Sequence, residues 1–521
     1  MPVSTVKADS GPAGPGKTGR KMQFLVPRLK KLFDQKAKPF SVVNTLVAVC
    51  ALLSIATLTN LKAQSLDARI SVISTVPARL KVEARLARAT NMLSFRNTYA
   101  GVLGLGQRIE EVEGLSDDGN RVRIKKLSPG EFQVAERLSR FTYEVNLTEP
   151  LRPADLSHVS SLHSDYGVLM LSDLLPQSTE DGKDFTAALI RVDVPLGWTA
   201  VSNIRKEGSQ FSTDDPDSAI FLIGSSLHEK AQRLGMTNFS VVASGVWPTS
   251  DSDATKIAGR ILDEYSRVTG FELKRNVMLM LIPYPGEAGP ESWSAETRGN
   301  VVVLSLVRRA KRKRLLSRLG IVLSHELFHL WIPNSLKLEG DYDWFFEGFT
   351  LYQALRLDLR LGLISFDEYL ETIAHVYDSY RSSADHDRLS LIEASQSRWT
   401  TSGALVYEKG MLVGFIYDLE LRKLTDCRAS VDDLYAELFR PSATGQGSAN
   451  ETIISLLSKR EGLKTFARDY VESPAKIDLG SILSAYGIQM GTSGSGATRL
   501  ILSNDLSSTQ RNLLGCIGHR K

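Results

Sequence analysis

His325-Glu326-Leu327-Phe328-His329 stands 18 residues ahead of Glu347, which lies in Trp344-Phe345-Phe346-Glu347-Gly348-Phe349-Thr350-Leu351-Tyr352. Residues four apart on a helix lie about 40° from each other around the axis, so His325 and His329 can present both imidazoles to one point. Ile321-Val322-Leu323 ahead of the motif, and Leu327-Phe328 with Leu330-Trp331 within and after it, predict a buried helix that stops near Pro333-Asn334. A chain with 8 histidines is expected to hold only about 0.01 such motifs by chance, so the pattern calls for a chemical explanation. Gly340-Asp341 permits a short connection that folds the second helix back and brings in the Glu347 carboxylate. Two imidazoles and a carboxylate form the donor set of one catalytic zinc ion, whose fourth position stays open. Glu326, off the line of the histidines, is then placed as general base for a water attacking a carbonyl carbon.

Working outward, the 521-residue chain, 42% hydrophobic and 23% charged, can bury a large core and is long enough for about two to four domains. Its three cysteines, Cys50, Cys427 and Cys516, are too widely spaced to hold a thiolate zinc. They allow at most one disulfide outside the apolar stretch that contains Cys50. The expected class is α+β. Residues 62–245 read as β-rich, with alternating or β-branched runs at Ile70–Val76, Phe141–Leu147, Leu189–Val194 and Phe239–Ala243 between turn residues. Residues 246–365 read as a catalytic α+β unit with strands near 277–282 and 301–306, residues 366–490 as helical, and 491–521 as a loosely ordered Gly- and Ser-rich tail.

Residues 39–61 contain no charge and, as a helix, match a hydrocarbon core of about 30 Å. Eight lysines and arginines between Lys17 and Lys38 precede them. That bias predicts a cytoplasmic basic tail (1–38), a single-pass anchor (39–61) and an extracytoplasmic catalytic part. A cleaved signal peptide ending near Leu61-Lys62-Ala63 is the competing reading. Gly11–Thr18 has the letters of a phosphate-binding loop, but no strand precedes it and two prolines remove N–H donors, so it reads as a flexible tail.

His325–Trp331 together with Glu347-Gly348-Phe349-Thr350 and Tyr352 resembles the glycyl aminopeptidase family of gluzincin zinc metallopeptidases, over about residues 140–490. The resemblance implies a thermolysin-like catalytic domain, a peptide or protein substrate and cleavage at a free amino terminus. It also assigns two further residues. Tyr407, in Tyr407-Glu408-Lys409-Gly410 and 60 residues after Glu347, matches the family's oxyanion donor, against a plain core tyrosine. Glu296, 29 residues before His325, matches the acid that binds the substrate amine, but the glycines that usually flank it are absent and Arg298 is close enough to neutralise it. A strand-end salt bridge is therefore the alternative for Glu296. Too few residues come after Gly491 for the PDZ-like module that members often carry.

The basic run Arg308–Arg314 with Arg318 lacks interleaved aromatics and reads as a solvated connection, so no nucleic-acid partner is expected. The functions to separate are therefore an aminopeptidase, an endopeptidase with the same metal site, and a peptide-binding pseudopeptidase. Oligomeric state is not encoded in any of these features.

Overall fold

The computed structural model describes residues 65–521 except 117, 149–150, 178–186, 286–288, 290–291, 337, 441–447, 495 and 520–521. The expected basic tail and the apolar segment 39–61 lie outside the described residues. Among the described residues, no helix is long and apolar enough to cross a membrane.

Alternation of apolar and polar side chains builds the first layer. In Ala78–Ser94, Leu80, Val82, Ala84 and Leu86 are buried while Lys81, Glu83 and Arg85 are exposed, the period of two that a half-solvated sheet requires. This strand pairs antiparallel with Ser65–Thr75 and Glu131–Asn146 in a nine-stranded sheet. A four-stranded sheet comes next, in which Tyr166–Met170 and Ile220–Gly224 are buried at every residue. Such strands need cover on both faces. Leu169, Phe221 and Ile223 join the core of the first sheet, whereas Val168, Met170, Ile220 and Leu222 pack with Met278, Met280, Val301 and Val303 of the next layer.

That third layer positions the site. Its strands are β1 (Leu227–Leu234), β2 (Thr237–Ser244), β3 (Asn276–Pro283), β4 (Trp293–Arg298) and β5 (Val301–Leu306), in the order β1-β2-β3-β5-β4. β2, β3 and β5 run parallel, and both edge strands are antiparallel. β1 and β2 were expected within the β-rich part ending at 245, yet they hydrogen-bond into this sheet. β-branched content marks a strand without saying which sheet it joins. Along β3, Met278, Met280 and Ile282 face the four-stranded sheet, while Val277, Leu279 and Leu281 face the helices.

Helices α1 (Asp251–Thr269), α2 (Arg312–Glu326), α3 (Thr350–Leu361) and α4 (Gly403–Thr425) cover that second face. α4 is buried on nearly every side, as its apolar sequence requires. One core runs from β2, β3 and β5 through these helices to Ile517, so the helical region shares its core with this sheet. α4 meets the turn Trp344–Phe349 at two glycines. A Cβ on Gly348 would stand 2.5 Å from the Gly410 Cα, and one on Gly410 would stand 2.6 Å from the Trp344 carbonyl oxygen. Only glycine allows this approach, which brings Glu347 beside the start of α4.

The expectation of a loosely ordered tail after Gly491 is corrected by the structure. Ile488–Thr492 pairs with Thr498–Leu502, and the helix Ser508–Cys516 buries Leu513 and Leu514. Cys516 is disulfide-bonded to Cys427, with Cα atoms 6.2 Å apart. The Gly- and Ser-rich residues mark the turn of a hairpin, and the apolar residues beyond them supply the packing.

Candidate metal centre and substrate cleft

The helix that carries the motif does not remain α-helical through it. α2 ends at Glu326 and tightens into a 3₁₀ turn over Leu327–Leu330 that carries His329. The Tyr265 hydroxyl donates to the Ser324 carbonyl and fixes the end of α2 against α1. Glu347 sits in a π turn, Trp344–Phe349, a local widening common at functional sites.

The three residues predicted to hold a metal converge. His325 Nε2 and His329 Nε2 are 3.1 Å apart, and Glu347 Oε2 is 3.5 Å from each. His329 Nδ1 lies 3.0 Å from the Ile332 carbonyl oxygen; it donates there and so leaves Nε2 as the ring atom that faces the cluster. Donors on a tetrahedral zinc with ~2.0–2.1 Å bonds are separated by about 3.3 Å, which matches this spacing. Charge agrees with geometry. Burial alone would lower the His329 pKa, but Glu347 and then Glu326 outweigh it and raise it to about 9. Burial likewise works to raise the Glu347 pKa, and His329, His325 and Arg398 hold it well below the usual carboxylate range. A buried cluster of this kind favours a cation, and His325, His329 and Glu347 form such a three-residue group.

Glu326 is buried beside them. Its Oε2 accepts from Thr297 Oγ1 at 2.7 Å, and the same hydroxyl lies 2.9 Å from the Glu326 carbonyl oxygen. Strand β4 thus fixes the Glu326 carboxylate. The neighbouring residue on β4, Glu296, enters the same cavity of about 410 Å³, which is also lined by Tyr99, His158, His325, Glu326, Glu347 and Tyr407.

Glu296 is not free within this cavity. Tyr99 donates to Oε1, His158 Nδ1 meets Oε2, and Arg298 Nη2 is 3.6 Å from Oε1. Burial works to raise the Glu296 pKa, but His158 and Arg298 outweigh it and hold it below the usual value. The ion pair with Arg298 anticipated from sequence is therefore present, and the acid still lines the cavity that holds the metal cluster. Tyr99 and His158 come from the β-rich region, and no motif marks them.

Tyr407 stands at the start of α4, and burial pushes its pKa up, as does Glu347, so the phenol keeps its proton. Arg398 Nη2 donates to the Tyr407 oxygen, which leaves the phenolic hydrogen unused in that bond. Sequence reading gave Arg398 no role. It also donates to Glu347 Oε1 at 2.7 Å and to Asp343 Oδ1 at 2.5 Å.

The M61 glycyl aminopeptidase family matches residues 318–413, a span that includes His325, Glu326, His329, Glu347 and Tyr407. A search of curated proteins finds no match. Among solved structures, an aminopeptidase N family protein from Idiomarina loihiensis is similar with a TM-score of 0.69 at 20% identity, covering 82% of this chain and 79% of that one. A variant of an M1 zinc metallopeptidase from Deinococcus radiodurans is similar with a TM-score of 0.50 at 14% identity, covering 80% of this chain and 95% of that one. It has also been solved with a Tyr-Ser-Ala substrate bound. At such identities the structural likenesses speak for the fold alone. The family match over the catalytic segment, with the His-His-Glu cluster, identifies an aminopeptidase-like metallopeptidase that uses one catalytic zinc.

Proposed function

We propose that this chain hydrolyses the first peptide bond of peptides with a free amino terminus, with Glu326 as general base, Tyr407 as oxyanion donor and Glu296 as amine anchor. The observation that carries this reading is the common cavity in which these three residues and the ligand set His325, His329 and Glu347 meet. His325, His329 and Glu347 would hold a zinc ion, which when bound would supply Lewis acidity for water activation and carbonyl polarisation. Glu326, oriented through Oε2 by Thr297, accepts the proton of the attacking water and passes it to the leaving amine. The Tyr407 phenol donates to the carbonyl oxygen as negative charge builds there. Glu296 offers its carboxylate to the substrate's ammonium group. The Deinococcus radiodurans relative with a bound tripeptide supports a peptide as substrate.

A second reading is internal cleavage, favoured by one feature of Glu296. Its charge is already shared among His158, Tyr99 and Arg298. Glu296→Ala separates the two readings. Aminopeptidase action predicts loss of turnover for free-amine peptides, whereas equal turnover of free and N-acetylated peptides by wild type and variant would establish the endopeptidase. The presence of Glu326 and every expected ligand disfavours a pseudopeptidase. The charge-free segment 39–61 behind a basic tail supports a single-pass anchor with the catalytic part outside the cytoplasm. Protease accessibility in intact cells tests it; a fully protected catalytic part would exclude that orientation.

A further inference from the structure

Hydrolysis by these groups leaves Arg398 without a task, although it is buried and reaches several of them. It opens the π turn Arg398–Ser402 just ahead of α4, and its side chain is 7% exposed. Its guanidinium reaches three acceptors: Nη1 donates to Asp343 Oδ1 at 2.5 Å, and Nη2 donates to Glu347 Oε1 at 2.7 Å and to the Tyr407 oxygen. Three rings surround it, with centroids 4.3 Å (Trp399), 5.1 Å (Tyr407) and 5.6 Å (Phe346) from Cζ. A planar fork among aromatic faces and carboxylates is a use that arginine fills and lysine does not.

This placement acts on the site in two ways. The Glu347 oxygen engaged by Arg398 is Oε1, while the one 3.5 Å from both histidines is Oε2. Arg398 thereby commits the carboxylate to ligation through a single oxygen. Tyr407, accepting through its oxygen, keeps its hydrogen for the cavity and is fixed at a set distance from Glu347. Sequence separations of 51 and 9 residues are bridged by one side chain.

We propose that Arg398 is a positioning residue that ties the third zinc ligand to the oxyanion donor, holding Glu347 by one oxygen and Tyr407 by its phenol oxygen before substrate arrives. This rests on the roles given to Glu347 and Tyr407 under the proposed function. The test uses the full chain as wild type, Arg398→Ala, Arg398→Lys, Tyr407→Phe and the Arg398→Lys/Tyr407→Phe double variant. Zinc affinity is read by competition with a chromophoric chelator, independently of turnover, and kcat and KM are read on a peptide substrate at saturating zinc. Loss of an outer partner of a ligand costs roughly 10–100-fold in metal affinity or activity. Arg398→Ala is therefore expected to bind zinc about 10–100-fold more weakly and to lose kcat by a similar factor, with KM within about twofold. Arg398→Lys restores the charge without the fork, so zinc affinity returns in part while kcat stays low. In the Tyr407→Phe background, Arg398→Lys should lower kcat far less, because the phenol it would misplace is gone. A merely structural role would give the same factor in both backgrounds, and that result overturns the proposal. So does a folded Arg398→Ala with wild-type zinc affinity and kcat. If Arg398→Ala does not fold, Arg398→Lys decides on the same two readouts. A wild-type chain that binds no zinc would instead refute the hydrolytic reading beneath it.

Discussion

Asp358→Asn should stabilise the protein, and by an amount that grows with pH. Asp358 lies on α3 with only 2% of its surface exposed, near Ser324, the residue before His325. Burial raises its pKa from 3.8 to about 7, against a smaller opposing contribution from the Ser324 hydroxyl. The folded chain therefore holds this proton more tightly than the unfolded chain does. The associated stability is complete below pH ~4 and is lost as pH rises through about 7. At about 1.4 kcal/mol per pH unit, the loss is on the order of 2 kcal/mol by pH 5 and about 4 kcal/mol by pH 8.5. Asparagine keeps the size and removes the charge. An unfolding entropy of roughly 2.1 cal/mol/K per residue over ~450 folded residues gives about 1 kcal/mol per degree. The variant should then melt about 4 °C above wild type at pH 8.5 and about 2 °C above it at pH 5, by differential scanning calorimetry on matched samples. An advantage that is the same at both pH values, or one that shrinks as pH rises, would refute the buried-carboxyl argument.

Two further substitutions probe the chemistry. Tyr407→Phe keeps the ring and removes the donor, so kcat should fall about 100- to 1,000-fold, the usual cost of one oxyanion-hole donor, with zinc content unchanged; a kcat within threefold of wild type would remove Tyr407 from the mechanism. Thr297→Val deletes the hydroxyl 2.7 Å from Glu326 Oε2, and since a hydrogen bond to a charged acceptor is worth roughly 1.5–3 kcal/mol, kcat/KM should drop about 10- to 100-fold. Unaltered kcat/KM would show that β4 does not orient the base.

The metal ligands were legible because their geometry is local. Four-residue spacing within a helix brings His325 and His329 together, and Glu347 comes after one short reversal. Tyr407 was reached only through resemblance, since its approach depends on the contact between Gly348 and Gly410, which no periodicity announces. Arg398 was missed because an arginine in a turn carries no pattern until Asp343, Glu347 and Tyr407 are seen around it. Two partners of Glu296 were hidden for a related reason: Tyr99 and His158 are 197 and 138 residues away in sequence and meet it only in the folded chain. At the level of fold, alternation identified strands reliably in kind, but β1 and β2 show that strand membership is decided by which apolar face finds cover. The tail was misread from its Gly and Ser content, which shapes one hairpin turn, while Leu513, Leu514 and Cys516 anchor the C-terminal helix to the core.

The central claim is that His325, His329 and Glu347 hold one zinc ion and that Glu326 uses it to hydrolyse peptides. Elemental analysis of the purified full chain and of Glu326→Gln, paired with hydrolysis of a peptide library by each, tests it most directly. The account predicts one zinc per chain in both proteins and hydrolysis by wild type alone. A wild-type chain without zinc, or equal hydrolysis by both proteins, would contradict it.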